Sequence, residues 1–293
     1  MKINTRATSE KYPWWPYRVL KAREEKLGRA AQTRGGWQLF LYEFVRFGVK
    51  QAWACLFGGL MIALLIGTYL WYPKNAALSR YDFLTLASIA IQALLLVFRM
   101  ETLEEAKIIL LYHVTGTVME VFKTHVGSWQ YPETGWLKIG GVPLFSGFMY
   151  SCIGSYIARA WRLFDFSFTG HPPSWVTAAI SIAIYINFFT HHYFYDLRWI
   201  ILMVLLFSFR KTWIYFRIHR HHRRMPLAVG FFLVALFIWF AENIGTAAHV
   251  WIYPNQHRAW AMVPVGKLIS WYLLMIISYV LVALVNKPQD YHK

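Results

Sequence analysis

Residues 49–70 read VKQAWACLFGGLMIALLIGTYL, an apolar stretch whose single charge, Lys50, lies near its start. A helix of about 20 residues crosses the hydrocarbon core of a bilayer, so this stretch predicts a membrane span. The remaining chain has the same character, since 57% of its 293 residues are hydrophobic and only 15% are charged. Soluble domains carry about a quarter of charged residues, and the sequence therefore indicates a membrane protein.

Seven further apolar segments follow the first. The eight predicted spans cover residues 49–70, 83–98, 106–122, 143–158, 174–191, 197–209, 226–246 and 265–285. The sixth is the shortest of them. We predict an all-α fold, a polytopic transmembrane helical bundle of about eight spans, formed by a single transmembrane domain over residues 37–288.

The two ends of the chain lie outside this domain. Residues 1–36 contain a basic stretch, 17–34, with apolar residues at helical spacing and no apolar core of signal-peptide type. We interpret them as a basic cytoplasmic or interfacial segment; a solvated, partly disordered tail is the alternative. Residues 289–293 form a predicted C-terminal tail.

Lys and Arg residues concentrate on one side of this arrangement. About three quarters of the 30 fall on the same side as the N-terminus, which marks that side as cytoplasmic. We predict a multi-pass protein of the bacterial inner membrane with both termini in the cytoplasm. Contact with membrane lipids of the anionic inner leaflet explains the net charge of +16, and we expect no nucleic-acid partner. Cys55 and Cys152 both lie in apolar segments, which excludes a disulfide framework.

A short motif occurs twice in the chain. Each copy has a Glu, a Trp-x-Tyr-Pro sequence that begins nine residues later, and a Val-Pro pair beyond it. The members are Glu120, Trp129, Tyr131 and Pro143 in the first copy, and Glu242, Trp251, Tyr253 and Pro264 in the second. Four predicted spans separate the copies, so both have the same orientation. We predict a parallel 4+4 duplication with repeats at about 37–160 and 171–286.

Four longer strings carry a resemblance to a known family. They are FGVKQAWAC (47–55), GGVPLFSGFMY (140–150), NFFTHH (187–192) and AENIGT (241–246). With these strings the chain, over about 39–288, resembles the bacterial integral-membrane family catalogued as domain of unknown function 817. The resemblance implies a multispanning inner-membrane protein and supplies no reaction.

A second, shorter similarity concerns the repeated motif. A membrane Glu followed by an aromatic-Tyr loop and a Gly-Val-Pro-Leu turn is similar to carotenoid hydratases and membrane lycopene cyclases. This chain departs from the cyclases because it lacks their Pro-x-Glu-Glu turn.

Glu120 and Glu242 are the predicted catalytic residues. An intramembrane acid is costly and faces a bundle interior or an aqueous cavity, which makes it a candidate functional group. A buried neutral carboxyl group can protonate an alkene, while an ionised partner accepts a proton or stabilises a carbocation. The alternative is that each Glu lies in headgroup water and only closes a polar contact with a neighbouring helix.

Side chains near these acids are the predicted substrate-binding residues. They are Trp129, Tyr131, Asn243, Trp251, Tyr253, His191, His192 and His249. Aromatic faces stabilise cations, and helical periodicity places residues 242 and 249 on roughly one face if the helix continues that far. The histidines at 191 and 192, together with a Glu, are an alternative zinc or iron site. Their spacing is not that of histidine-box enzymes, so we predict no metal site, and the sequence identifies no cofactor.

Other polar residues have structural interpretations. Gly147, Ser151 and Ser155 recur every four residues, the pattern of a helix-packing ridge. The acidic residues at 101, 104 and 105 match the dipole of the following helix. The Arg-rich segment 210–224 is interpreted as a topology-determining loop that contacts lipid phosphate. His113 and His125 are interpreted as polar packing residues, with a catalytic role as the alternative.

These observations predict an intramembrane enzyme that acts on a hydrophobic lipid or isoprenoid substrate by carboxyl acid/base chemistry. The alternative is a small-molecule or proton-coupled transporter with a central acidic site, and a scaffold protein is a third reading. The sequence has no nucleotide-binding, serine-hydrolase or zincin motif.

Overall fold

The computed structural model describes residues 27, 28, 30, 33, 35–219 and 222–291, and this part of the chain is mostly helical. The predicted interfacial segment 1–36 lies almost entirely outside it. The described residues form nine α-helices: α1 (Gly36–Ala54), α2 (Leu56–Trp71), α3 (Arg80–Val97), α4 (Leu103–His125), α5 (Phe145–Phe164), α6 (Ser174–Thr190), α7 (Arg198–Phe209), α8 (Leu227–Ala247) and α9 (Gly266–Asn286).

Two small antiparallel sheets accompany the helices, so the prediction of an all-α fold is wrong in this detail. β1 (Lys138–Ile139) pairs with β2 (Val142–Pro143). The second sheet has the order β3 (Ser167–Thr169), β4 (Trp213–Arg217), β5 (His222–Pro226). The segment predicted as a loop at 210–224 is therefore largely a hairpin, because the run Trp-Ile-Tyr-Phe in β4 favours a strand. Residues 289–291, predicted as a tail, run beside β3.

Among the described residues, three helices are long and apolar enough to cross a membrane, namely α3, α8 and α9. A fourth span is counted if α1 and α2 together form one bent span. The segment predicted as the first span, 49–70, is divided between α1 and α2, with the break at Cys55. At 12 residues, α7 is about 18 Å long and too short to cross alone.

The described residues divide into two compact units. One contains the residues before Lys50 together with Ile218 and His219, and in it Arg46 Nη1 lies 2.8 Å from His219 Nδ1. The other contains the remaining described residues. Its main core is built by α4 to α9, with fully buried side chains such as Leu205 and Ile276.

The predicted packing ridge on α5 is confirmed. A Cβ atom added to Gly147 would lie 2.4 Å from Thr117 Oγ1 and 2.6 Å from the carbonyl oxygen of His113, so only glycine permits this approach of α4. Ser151 Oγ donates to the carbonyl oxygen of Ile109 on α4 at 2.8 Å. The two helices are therefore in backbone contact along this ridge.

The N-terminus of α4 is closed by a capping box. Glu105 N donates to Thr102 Oγ1 at 3.2 Å, and Thr102 N donates to Glu105 Oε2 at 2.8 Å. Glu104 also lies in the first turn, as the helix-dipole interpretation requires. That interpretation is wrong for Glu101, which lies before the helix and forms a buried ion pair with Arg159.

The helices α4 and α8 end with the same turn. Gly127 and His249 adopt left-handed backbone conformations with φ of 73° and 52°. The next residue of each donates its N–H back into the helix, Ser128 to Lys123 O and Val250 to Gly245 O, at 2.9 and 3.0 Å. This is the pattern of a Schellman cap, in which glycine is the preferred left-handed residue. Because α8 ends at Ala247, the helix does not continue to residue 249, and residues 242 and 249 do not share a helix face.

We expect His249→Gly to raise the free energy of unfolding by about 1 kcal/mol, since glycine adopts positive φ without a steric penalty. The measurement is loss of helical circular dichroism on titration of the purified protein with SDS in mixed micelles. Gly127→Ala is the matched control. A Cβ at Gly127 would meet no atom within 4 Å, so only its positive φ is tested, and we expect a loss of similar size. A His249→Gly protein no more stable than wild type would contradict the argument.

Candidate functional site

Glu120, in the last part of α4, is buried with 5% of its surface exposed. Its carboxylate accepts three hydrogen bonds. Trp129 Nε1 and Tyr131 OH donate to Oε2 at 2.6 and 2.8 Å, and Tyr150 OH on α5 donates to Oε1 at 2.8 Å. The donors reach the acid from the loop after its own helix and from the neighbouring helix.

Glu242, in α8, is surrounded in a similar way and is also 5% exposed. Tyr253 OH donates to Oε1, and Trp271 Nε1 on α9 donates to Oε2. Tyr253 follows Glu242 by the same interval as Tyr131 follows Glu120. Trp271 corresponds in sequence to Tyr150. It follows Glu242 by one residue fewer than Tyr150 follows Glu120, because the loop of the second motif is one residue shorter.

The two acids belong to one continuous cluster. The ring of Trp129 meets the ring of Tyr253 edge to face, with centroids 5.9 Å apart. Lys267 Nζ lies over both rings, 5.0 Å from the centroid of Trp129 and 4.6 Å from that of Tyr253. We name this cluster the carboxylate cage; its members are Glu120, Trp129, Tyr131, Tyr150, Glu242, Tyr253, Lys267 and Trp271.

A backbone bridge joins the two Trp-x-Tyr loops. Gln130 N donates to Ile252 O and Ile252 N donates to Gln130 O, both at 3.0 Å. Gln130 and Ile252 are the middle residues of the two motifs, so each loop pairs with the other at the same position. This bridge fixes the indole and phenol groups on either side of it.

The N-terminus of α3 holds both loops in place. Arg80 Nη2 donates to Ala248 O at 3.0 Å, and Tyr81 OH donates to Val250 O at 2.7 Å, both in the second loop. Asp82 accepts two backbone N–H groups of the first loop, at 2.7 and 3.0 Å. Sequence reasoning missed these residues, because a short polar run at a helix start has no distinctive spacing.

The donors of the cage suit a proton-exchanging carboxyl group. Burial, followed by the nearby carboxylates, raises the pKa of Tyr131 and of Tyr253 well above that of a free phenol, so both keep their protons. As donors they stabilise an ionised carboxylate. Because a tyrosine hydroxyl also accepts hydrogen bonds, the same side chains accommodate a protonated carboxyl group.

Five of the eight predicted substrate-binding residues are not members of the cage, namely Asn243, Trp251, His249, His191 and His192. Asn243 Nδ2 donates to Trp239 O, and its Oδ1 accepts from Val263 N, a link between α8 and the chain before α9. Trp251 packs against Gly245. His249 is exposed at the end of α8, with its ring 5.9 Å from that of Tyr69.

His191 and His192 lie beyond the end of α6, with ring centroids 4.0 Å apart. Lys123 Nζ is 2.7 Å from His192 Nε2. Partial burial and this ammonium group lower the pKa of His192 to about 4, so the imidazole is neutral at pH 7 and accepts from Lys123. A metal ion at Nε2 would have to displace that contact. Within the described residues no three His, Cys, Asp or Glu side chains are grouped as metal ligands.

Sequence reasoning also missed Tyr150, Trp271 and Lys267. The repeat contained the signal for the first two, because an aromatic residue with a polar hydrogen follows each Val-Pro pair by seven residues. Lys267 has no such signal, since its counterpart in the first copy is Ser146.

Comparison with known proteins agrees with the resemblance of the four strings. The family model described as "Protein of unknown function (DUF817)" matches residues 43–279. The uncharacterized protein YoaT of Bacillus subtilis (strain 168) is 41% identical over 248 residues, which cover 85% of this chain and 93% of that protein. No solved structure matches the chain. The predicted family is confirmed, and the chain belongs to the DUF817 family.

Proposed function

We propose that the protein is an intramembrane enzyme that acts on a hydrophobic lipid or isoprenoid substrate entering from the bilayer. Glu120 and Glu242 are its paired acid/base residues near the outer face. The observation that carries the proposal is the carboxylate cage, in which two buried acids from different helices share one aromatic cluster.

The cage suits reactions that pass through a cation. One protonated carboxyl group transfers its proton to a carbon of an alkene, and the positive charge develops on the other carbon. The second carboxylate then removes a proton, or water adds and releases one. Aromatic faces stabilise such a charge, and Trp129 and Tyr253 bring aromatic rings to the two acids.

The proposal includes eight spans, a parallel 4+4 duplication, and both termini on the cytoplasmic side of the inner membrane. Three features support the duplication. The helices α4 and α8 end in the same Schellman cap, both acids accept from a tyrosine at the same interval, and the backbone bridge joins equivalent residues. A pair of equivalent residues that donate to each other is what a twofold axis between the halves produces.

The substrate class is tested by mass spectrometry of lipids that remain bound to the purified protein. We expect an isoprenoid or acyl compound enriched over bulk phospholipid, and its loss from a Trp129→Ala variant, because the ring of Trp129 lies between the two acids. Retention of the same lipids by both proteins, in bulk proportions, would contradict a substrate site in the cage.

A proton-coupled or small-molecule transporter is the second candidate function. It is favoured by the position of the cage, which lies where the loops of the two proposed halves meet through the Gln130–Ile252 bridge. In this reading the halves rock about the bridge and the same acids carry protons or cations. A structure with a polar cavity open to the opposite side would favour transport, whereas a bound hydrophobic compound favours the enzyme.

A further inference from the structure

A line of polar side chains follows the interface between α4 and α5 below the cage. Starting from Glu120, it contains Thr117, His113, Ser151, Ser155, Glu101 and Arg159. Between Glu101 and Glu120 the chain advances 19 positions, nearly all of them in α4, which corresponds to about 28 Å of helix. This length is close to the thickness of the hydrocarbon core of a bilayer.

The inner end of this polar line is a buried ion pair. Arg159 Nη2 lies 2.6 Å from Glu101 Oε1, and neither side chain is exposed. Ser155 Oγ donates to Glu101 at 3.0 Å and continues the line along α5. Arg162, on the next turn of α5, is 42% exposed and pairs with Glu105 at 3.1 Å. Charged groups therefore extend from the ion pair to the surface.

His113 lies in the middle of the line and has an unused nitrogen. Its Nδ1 is buried and has no hydrogen-bond partner within the described residues. It faces the α5 ridge, because a Cβ added to Gly147 would lie 2.6 Å from it. Ser151, which donates to Ile109 O, is one turn of α4 further inward. Neighbouring groups of the line are thus about one helical turn apart along α4 and α5.

The second half of the chain has apolar or aromatic side chains at the corresponding positions. With the register of the Glu-Trp-Tyr motif, the counterparts of His113, Ser151, Ser155 and Arg159 are Ala235, Tyr272, Ile276 and Val280. All four counterparts belong to the main apolar core. Packing of this helix pair therefore does not require polar side chains, and their presence in the first half needs a separate reason.

We infer that this polar line is a proton path across the membrane, from the Glu101–Arg159 pair on the inner side to Glu120 in the cage. His113 takes a proton on one ring nitrogen and releases the proton of the other, and the ring returns by exchanging its tautomer. The inference rests on the proposed span orientation, and it adds to the proposed enzyme a supply of protons for Glu120.

The test measures proton flux into liposomes that contain the full-length protein and the pH-sensitive dye pyranine, with a potassium gradient and valinomycin as the driving force. We expect wild-type protein to conduct protons above protein-free liposomes, and His113→Leu to reduce the flux at least tenfold. His125→Leu is the matched control, since this histidine is on the same helix, exposed and outside the line. We expect it to leave the flux unchanged.

His113→Gln keeps a polar group of similar size that cannot pass protons through a ring, and it replaces His113→Leu if that variant does not fold. Wild-type flux equal to that of protein-free liposomes would overturn the inference, as would equal flux in wild type and both His113 variants. The enzyme proposal fails separately. Absence of bound hydrophobic compound with intact proton flux contradicts the enzyme only, and bound compound without flux contradicts the path only.

Discussion

Replacing Arg159 with Met is expected to lower the free energy of unfolding by about 3–5 kcal/mol, the usual cost of removing one partner from a buried ion pair. The Glu101 carboxylate would remain inside the protein with only the Ser155 hydroxyl and the Gln92 amide as donors. Its charge would then have no cation within contact distance. Titration with SDS, followed by helical circular dichroism, measures the loss.

Two controls separate this effect from the loss of a long side chain. The double variant Glu101→Gln with Arg159→Met removes both charges and is expected to recover most of the stability, because no buried charge remains unpaired. Lys107→Met breaks an exposed pair on α4, with 70% and 66% of the two side chains exposed, and is expected to change the stability by at most about 0.5 kcal/mol. An Arg159→Met protein as stable as wild type would show that the pair is not buried in the membrane.

Glu120→Gln and Glu242→Gln are each expected to abolish turnover, with a loss of at least about a hundredfold, because general acid–base groups contribute about two to four orders of magnitude. Each glutamine still accepts hydrogen bonds through its amide oxygen but neither gives nor takes a proton. Lipid extracts of cells that express wild-type protein or a variant are compared by mass spectrometry. Species that depend on wild-type protein should disappear in both variants.

Glu133→Gln is the control for this experiment. Glu133 pairs with Arg80 at 2.7 Å beside the cage and has no hydrogen bond to Glu120 or Glu242, so lipid composition should match that of wild type. Retention of the wild-type lipid species in Glu120→Gln would exclude acid/base chemistry by this residue. If both variants fail to enter the membrane, the two acids are structural and the enzyme proposal loses its main support.

Much of the helical architecture follows from sequence pattern alone. Apolar stretches of sufficient length predict helices wherever they occur, and the motif with Glu120 and Glu242 correctly identified two buried acids with aromatic partners. The Gly147 ridge was also readable, because small residues at intervals of four lie on one helix face. These features depend on local spacing, which a sequence displays directly.

Contacts between residues that are distant in the sequence could not be predicted from local spacing. The Arg159–Glu101 pair joins α5 to the segment before α4, and neither residue belongs to a sequence pattern that predicts the other as its partner. The β4–β5 hairpin was not predicted, because its arginines are also typical of a cytoplasmic loop that sets membrane topology. The aromatic residues of β4 nevertheless favour a strand. Whether His249 lies on a helix face depends on where α8 ends, and the sequence does not define the end of a helix to better than one or two residues.

The bridge between Gln130 and Ile252 uses only main-chain atoms. Because its hydrogen bonds are between main-chain atoms, the bridge does not depend on side-chain identity, and it forms between a glutamine and an isoleucine. If either half were once a separate polypeptide, two identical copies would meet through the same pair of amides, each copy closing the other. Substitutions at this point would leave the backbone bridge intact, while the side chains around it can differ between the two motifs, as Lys267 and Ser146 do.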